Sequence, residues 1–123
     1  MSRLRLSLCP LLLVLAACAT AISGQYDLQS ISGEPLPILV FDDVAMTAAT
    51  LQLNDDGTCR ITVITDDDIY VSDAEDGCSW NVSGGIVTVL TESDGEVVVT
   101  GTLNNGTMTL TDENDDVLVF VRR

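Results

Sequence analysis

The side chains with chemical reach are few in kind. The 123 residues include four cysteines and nineteen carboxylates, against five arginines, no lysine and no histidine. Without histidine there is no imidazole base for a nucleophilic triad and no imidazole metal ligand. The carboxylates do gather, at Asp42-Asp43, Asp55-Asp56, Asp66-Asp67-Asp68, residues 73–76 and residues 112–116. A run such as Asp66–Asp68 offers Ca²⁺ the oxygen ligands it prefers, yet no run has the spacing of a known calcium loop. All sit where turns are expected and read as solvated hairpin tips, so no metal or other cofactor is expected. Asn81-Val82-Ser83 and Asn105-Gly106-Thr107 match the glycosylation sequon, but Asn105-Gly106 reads better as a hairpin turn. The formal charge of −14 excludes nucleic acid as a partner, since phosphate contacts need Lys and Arg. No catalytic set remains, and the expected function is not enzymatic.

The cysteines carry most of the remaining chemistry. Arg3 and Arg5 precede an apolar stretch from about Leu6 to Ala17, the pattern of a signal peptide. The stretch is too short for a spanning helix, which needs ~20 apolar residues. Leu15-Ala16-Ala17-Cys18 looks like the lipobox of bacterial lipoproteins, in which the cysteine is acylated, with palmitate or a similar chain, and becomes the first mature residue. The alternative is ordinary secretion, with cleavage after Ala17-Cys18-Ala19. In the lipoprotein reading residues 1–17 are the signal peptide, 18–24 a lipidated tether, and 25–123 the folded domain. Cleavage before Cys18 leaves 106 residues and a formal charge of −16, because Arg3 and Arg5 leave with the leader. Such a body is repelled by anionic lipid, so membrane attachment falls to the lipid on Cys18. Ala19 is not aspartate, the usual inner-membrane retention signal, which points toward the outer membrane of a bacterial cell envelope.

Cys59 and Cys78 then remain as a pair, suited to an oxidising compartment. Both fall on apolar faces of expected neighbouring strands. A structural disulfide between them closes a loop of about 20 residues and is worth ~3 kcal/mol. A redox-active pair is not expected: there is no C-x-x-C, no basic neighbour to lower a thiol pKa, and many carboxylates to raise it.

The elements that must position these residues are strands. Short β-rich runs alternate with Gly, Asn and Asp punctuation. Strands are expected at residues 25–31, 38–41, 48–54, 58–65, 77–83, 86–91, 96–103, 107–111 and 117–121. Asn54-Asp55-Asp56-Gly57, Gly84-Gly85 and Asn104-Asn105-Gly106 are turn signals. The connections are too short for parallel crossovers. The expected fold is all-β: a small antiparallel up-and-down barrel of about eight strands, closed or nearly closed, which removes its edges. The outward stripes of Thr, Ser, Asn and Gln exclude a spanning barrel, whose outer face is apolar. Residues 66–77 form either a lid over the mouth or a loop in which Ile69–Val71 extends the preceding hairpin, and the hairpin is favoured.

Gly24-Gln25-Tyr26-Asp27-Leu28-Gln29-Ser30-Ile31-Ser32-Gly33-Glu34-Pro35-Leu36-Pro37 resembles the opening of small lipocalin-like bacterial lipoproteins. The ending Leu118-Val119-Phe120-Val121-Arg122 is similar to theirs, as are Asp56-Gly57-Thr58 and Cys78-Ser79-Trp80 in mid-chain. A META-domain-like group is the alternative resemblance. The likeness implies a lipocalin-like barrel in which Gly24 and Tyr26 close the floor under Arg122, with tyrosine where lipocalins carry tryptophan. Two functions follow as expectations. A small apolar ligand sits inside, against Leu28, Leu51, Ile61, Trp80, Met108 and Leu110. Alternatively the barrel is solid and its acidic loops meet an envelope protein.

Overall fold

The computed structural model describes residues 22–40, 43–92 and 95–123. The expected signal peptide, Cys18 and most of the tether lie outside the described residues, as does Phe41 of the expected strand at 38–41. Eleven strands form one antiparallel sheet: β1 (Gly24–Ile31), β2 (Glu34–Pro35), β3 (Ile38–Leu39), β4 (Ala45–Leu53), β5 (Cys59–Thr65), β6 (Ile69–Ser72), β7 (Ser79–Ser83), β8 (Ile86–Thr91), β9 (Val97–Asn104), β10 (Thr107–Thr111) and β11 (Val117–Arg122). Eight of them run five residues or more, in line with the eight-strand expectation; β2, β3 and β6 are short additions.

The sheet order is β6-β5-β4-β1-β11-β10-β9-β8-β7, with β2 beside β1 and β3 beside β4. The first and last long strands pair, Tyr26 opposite Arg122 and Leu28 opposite Phe120. The meander therefore closes on itself at β1–β11 and leaves β6 and β7 as its two ends. The sheet curls into a lipocalin-like half-barrel rather than a fully closed barrel. Its ends meet at one corner, where Thr58 bridges Ser79. There the Cys59 amide donates to the Cys78 carbonyl at 3.1 Å and the Trp80 amide to the Gly57 carbonyl at 2.9 Å. The Cys59–Cys78 disulfide fastens this corner, with Cα atoms 5.1 Å apart.

Local chemistry explains the element bounds. Gly84-Gly85 and Asn105-Gly106 all have positive φ, as a two-residue hairpin turn with right-handed twist requires. The expected strand at 48–54 begins earlier, at Ala45, because a register shift between Met46 and Ala48 breaks the two-residue alternation. The expected strand at 77–83 begins later, at Ser79. Residues 73–76 there form a capped 3₁₀ turn: the Glu75 amide donates to Asp73 Oδ1 at 3.0 Å and the Asp73 amide to Asp76 Oδ2 at 3.1 Å. Ile69–Ser72 forms a hairpin arm, Val63 opposite Tyr70 and Ile64 opposite Ile69. In β11 the pairings Thr109–Val119 and Thr111–Val117 put Val119 and Val117 on the face of the threonines, leaving Leu118 and Phe120 to the interior.

Candidate ligand-binding site

Neighbouring antiparallel strands reverse direction, so their turns divide between two ends of the half-barrel. One end carries the chain entry at Gly24, the turns at Asn54–Gly57, Gly84-Gly85 and Asn105-Gly106, and the C-terminus. The other carries Ser32-Gly33, the turns at Asp66–Asp68 and 112–116, and the C-terminal end of β8. These two ends are packed differently.

The first end is sealed. Tyr26 and Met108 are wholly buried, and Leu53, Val87, Cys59 and Cys78 nearly so. The Arg122 guanidinium lies over the Tyr26 ring, 5.3 Å from its centroid, and donates to the Ser23 carbonyl. The Tyr26 hydroxyl donates to the Ile22 carbonyl at 2.5 Å. Burial raises the Tyr26 pKa, and the charge of Arg122 offsets part of that rise. Gly24 makes room for this contact: a Cβ there would sit 3.1 Å from Arg122 Nη2, and its φ of +139° is one that side-chain-bearing residues rarely adopt. Trp80 completes the packing, its indole N–H donating to the Asn54 carbonyl at 2.8 Å.

Above this floor lies an apolar cavity of about 230 Å³. Leu28 and Ile31 of β1, Met46, Ala49 and Leu51 of β4, and Ile61 and Val63 of β5 form one wall. Val89, Val99, Leu110, Leu118 and Phe120 form the other, from β8, β9, β10 and β11. Ile31, Ile61, Val63, Val99 and Leu118 are only partly buried. Larger apolar residues around the open end are exposed: Leu39, Ile69, Tyr70, Val71 and Val97.

Four of the six interior residues named from sequence, Leu28, Leu51, Ile61 and Leu110, line the cavity. Trp80 and Met108 belong instead to the packed floor beneath it. Alternation along a strand tells inside from outside but not height along the barrel, and height separates these two groups. Met46 was missed for a related reason: the register shift between Met46 and Ala48 in β4 hides its inward phase, whereas Ala49 shares the face of Leu51 and Leu53.

Charge is divided between the ends as well. Apart from Arg3 and Arg5, which lie outside the described residues, the basic residues are Arg60, Arg122 and Arg123. Arg60 begins β5 at the sealed end, 3.8 Å from Asp73. Arg123 grips both oxygens of Asp27, at 2.7 and 3.2 Å, and holds that carboxyl below the usual carboxylate range. The open end carries acids. Asp116 Oδ1 accepts from Ser32 Oγ at 3.1 Å, beside Ile31 and Leu118. The Asp66 amide donates to the Ala45 carbonyl at 3.0 Å and Thr65 Oγ1 donates to Asp67 Oδ1 at 2.8 Å, beside Met46. Among the described residues, no three of these groups are placed to hold a metal ion.

No protein-family model matches the chain, and no curated protein sequence matches it. A solved structure described as the REP1-NXSQ fatty acid transporter is similar in fold, with a TM-score of 0.51 and 12% identity. The match covers 85% of this chain and 97% of that one. At that identity the likeness concerns the fold, a curled antiparallel half-barrel.

Proposed function

We propose that this chain is a cell-envelope lipoprotein whose half-barrel binds the hydrocarbon part of a small apolar ligand. The cavity carries this reading: its twelve lining residues are all apolar, and five of them are only partly buried. Its size narrows the ligand. At about 230 Å³ it exceeds the ~150 Å³ of a cavity that takes benzene. It falls short of the ~300 Å³ at which drug-sized pockets begin. A segment of one alkyl chain fits that range. The fold neighbour, described as a fatty acid transporter, supports the reading by analogy of architecture.

The anchor belongs to the same proposal. The folded domain is entered at Gly24, on the sealed end. A lipid on Cys18 then holds that end toward the bilayer, in the outer membrane by the Ala19 argument, and leaves the opening facing away from it. Intact mass of the protein from its native envelope checks the anchor. A chain starting at Cys18 with lipid mass supports it; a chain starting after Ala19 without lipid returns the protein to the secreted alternative.

The binding test is titration of the folded domain with N-phenyl-1-naphthylamine, an uncharged apolar fluorophore. Saturable one-to-one enhancement, lost in Ala49→Phe at unchanged far-UV circular dichroism, supports the cavity as the site. Absence of binding, or equal binding by the variant, refutes it.

A second reading has one observation in its favour. Strand β6 ends the sheet order with Ile69, Tyr70 and Val71 exposed, the kind of edge that captures another chain. An envelope protein captured from solubilised membranes, and lost on changing Asp66–Asp68 to asparagine, would favour that role.

A further inference from the structure

We infer that the apolar cavity takes a single-chain amphiphile with a positively charged head group and discriminates against fatty acid anions, an inference that rests on the cavity being a ligand site. Anionic ligands need a cation where the head group emerges. Among the described residues none is placed at this opening. Arg60, Arg122 and Arg123 all stand toward the sealed end, two of them paired with Asp73 and Asp27 and the third over Tyr26. The opening is instead flanked by carboxylates held in place by the barrel. Asp116 is tied to Ser32, whose own amide donates to the Val117 carbonyl at 2.7 Å, so the acid sits just beyond the opposed pair Ile31 and Leu118 of the cavity wall. Farther round the rim, the Asp66 backbone amide is tied to Ala45 and the Asp67 carboxylate to Thr65, where β4 begins and β5 ends, beside Met46.

A hydrocarbon chain buried against Leu28, Leu51 and Leu110 therefore leaves its head group near acids at two points on the rim. A carboxylate or phosphate there is repelled, an alcohol is tolerated, and an ammonium is attracted. The fold neighbour, described as a fatty acid transporter, matches in architecture; the charge at this opening departs from what a free fatty acid requires.

The test compares octyltrimethylammonium, octanol and octanoate by isothermal titration calorimetry at pH 7.5, where octanoate is ionised. At about 10 mM salt the Debye length is ~30 Å, and at 1 M it is ~3 Å. The expected order is ammonium, then alcohol, then carboxylate. The span between the first and last is on the order of tenfold or more at low salt, from Coulomb attraction near a surface, and it collapses at 1 M. Asp67→Asn with Asp116→Asn narrows the low-salt span. Octanoate binding as tightly as octyltrimethylammonium overturns the head-group inference while leaving the cavity reading intact. Failure of all three to bind overturns both.

Discussion

Arg122 lies over the ring of Tyr26 at 5.3 Å from its centroid, and the two residues sit directly opposite each other on β11 and β1. This pair joins the last strand to the first and stoppers one end of the half-barrel. Tyr26 is wholly buried, so Tyr26→Ala should cost about 3–5 kcal/mol. Tyr26→Phe, which removes only the hydrogen bond to Ile22, should cost about 1 kcal/mol. Arg122→Leu, which removes the cation–π contact and the hydrogen bond to the Ser23 carbonyl, should cost about 1–2 kcal/mol. Urea denaturation orders the three, and probe affinity should be the same in Tyr26→Phe and Arg122→Leu as in the parent. A loss of affinity in either would mean that the floor and the cavity are one unit.

The Cys59–Cys78 disulfide spans 19 positions and fastens the two ends of the sheet. Replacing both cysteines with serine should cost ~3 kcal/mol by loop entropy. For a domain of about 100 residues that corresponds to a Tm lower by roughly 10–20 °C. A drop of only a degree or two, read by calorimetry, would mean that the bridge at Thr58 and Ser79 holds the corner without the covalent link.

Gly101 of β9 is required by its neighbour. A Cβ there would fall 1.7 Å from the Thr109 carbonyl oxygen of β10, a backbone atom that cannot swing away. Gly101→Ala should force the β9–β10 ladder apart and cost about 1–3 kcal/mol or more. Gly84, at φ +59° with open space around its Cβ position, provides the contrast. Gly84→Ala should be the milder of the two, at ~1–2 kcal/mol for a left-handed alanine. Equal losses would show that β10 yields without resistance.

Asp27 titrates below the ordinary carboxylate value because Arg123 hydrogen-bonds to its ionised form, with Thr50 as a further donor. A folded pKa below the unfolded one stabilises the protein above the unfolded pKa, ~3.9 for aspartate. That stabilisation fades as pH falls through the lowered folded value. Asp27→Asn should therefore have a lower Tm than the parent at pH 6, with the two converging below pH 4. A Tm difference that persists to pH 2 would place the role of Asp27 in shape rather than charge.

The parts of this molecule that were legible in the sequence are those set by local rules. Gly84-Gly85 and Asn105-Gly106 announced their hairpins, and the alternation of Met108 and Leu110 with threonine announced an inward and an outward face. Cys59 and Cys78 fell on apolar faces that the curl brings together. The rest depends on register. Met108 and Leu110 share a strand and a face, yet one is in the floor and the other lines the cavity, because strand stagger sets the height of each. That Phe120 stands opposite both Leu28 of β1 and Met108 of β10 is likewise a property of the pairing between strands, invisible to any single strand.

The measurement that bears most directly on the central claim is methyl NMR of the labelled domain during titration with an octyl amphiphile. The account predicts shifts at the methyls of Leu28, Leu51, Ile61, Val99 and Leu110 that saturate together, with Met108 and Val87 in the sealed end unmoved. Shifts confined to Ile69 and Val71 on the exposed edge, or no shifts at all, would contradict it.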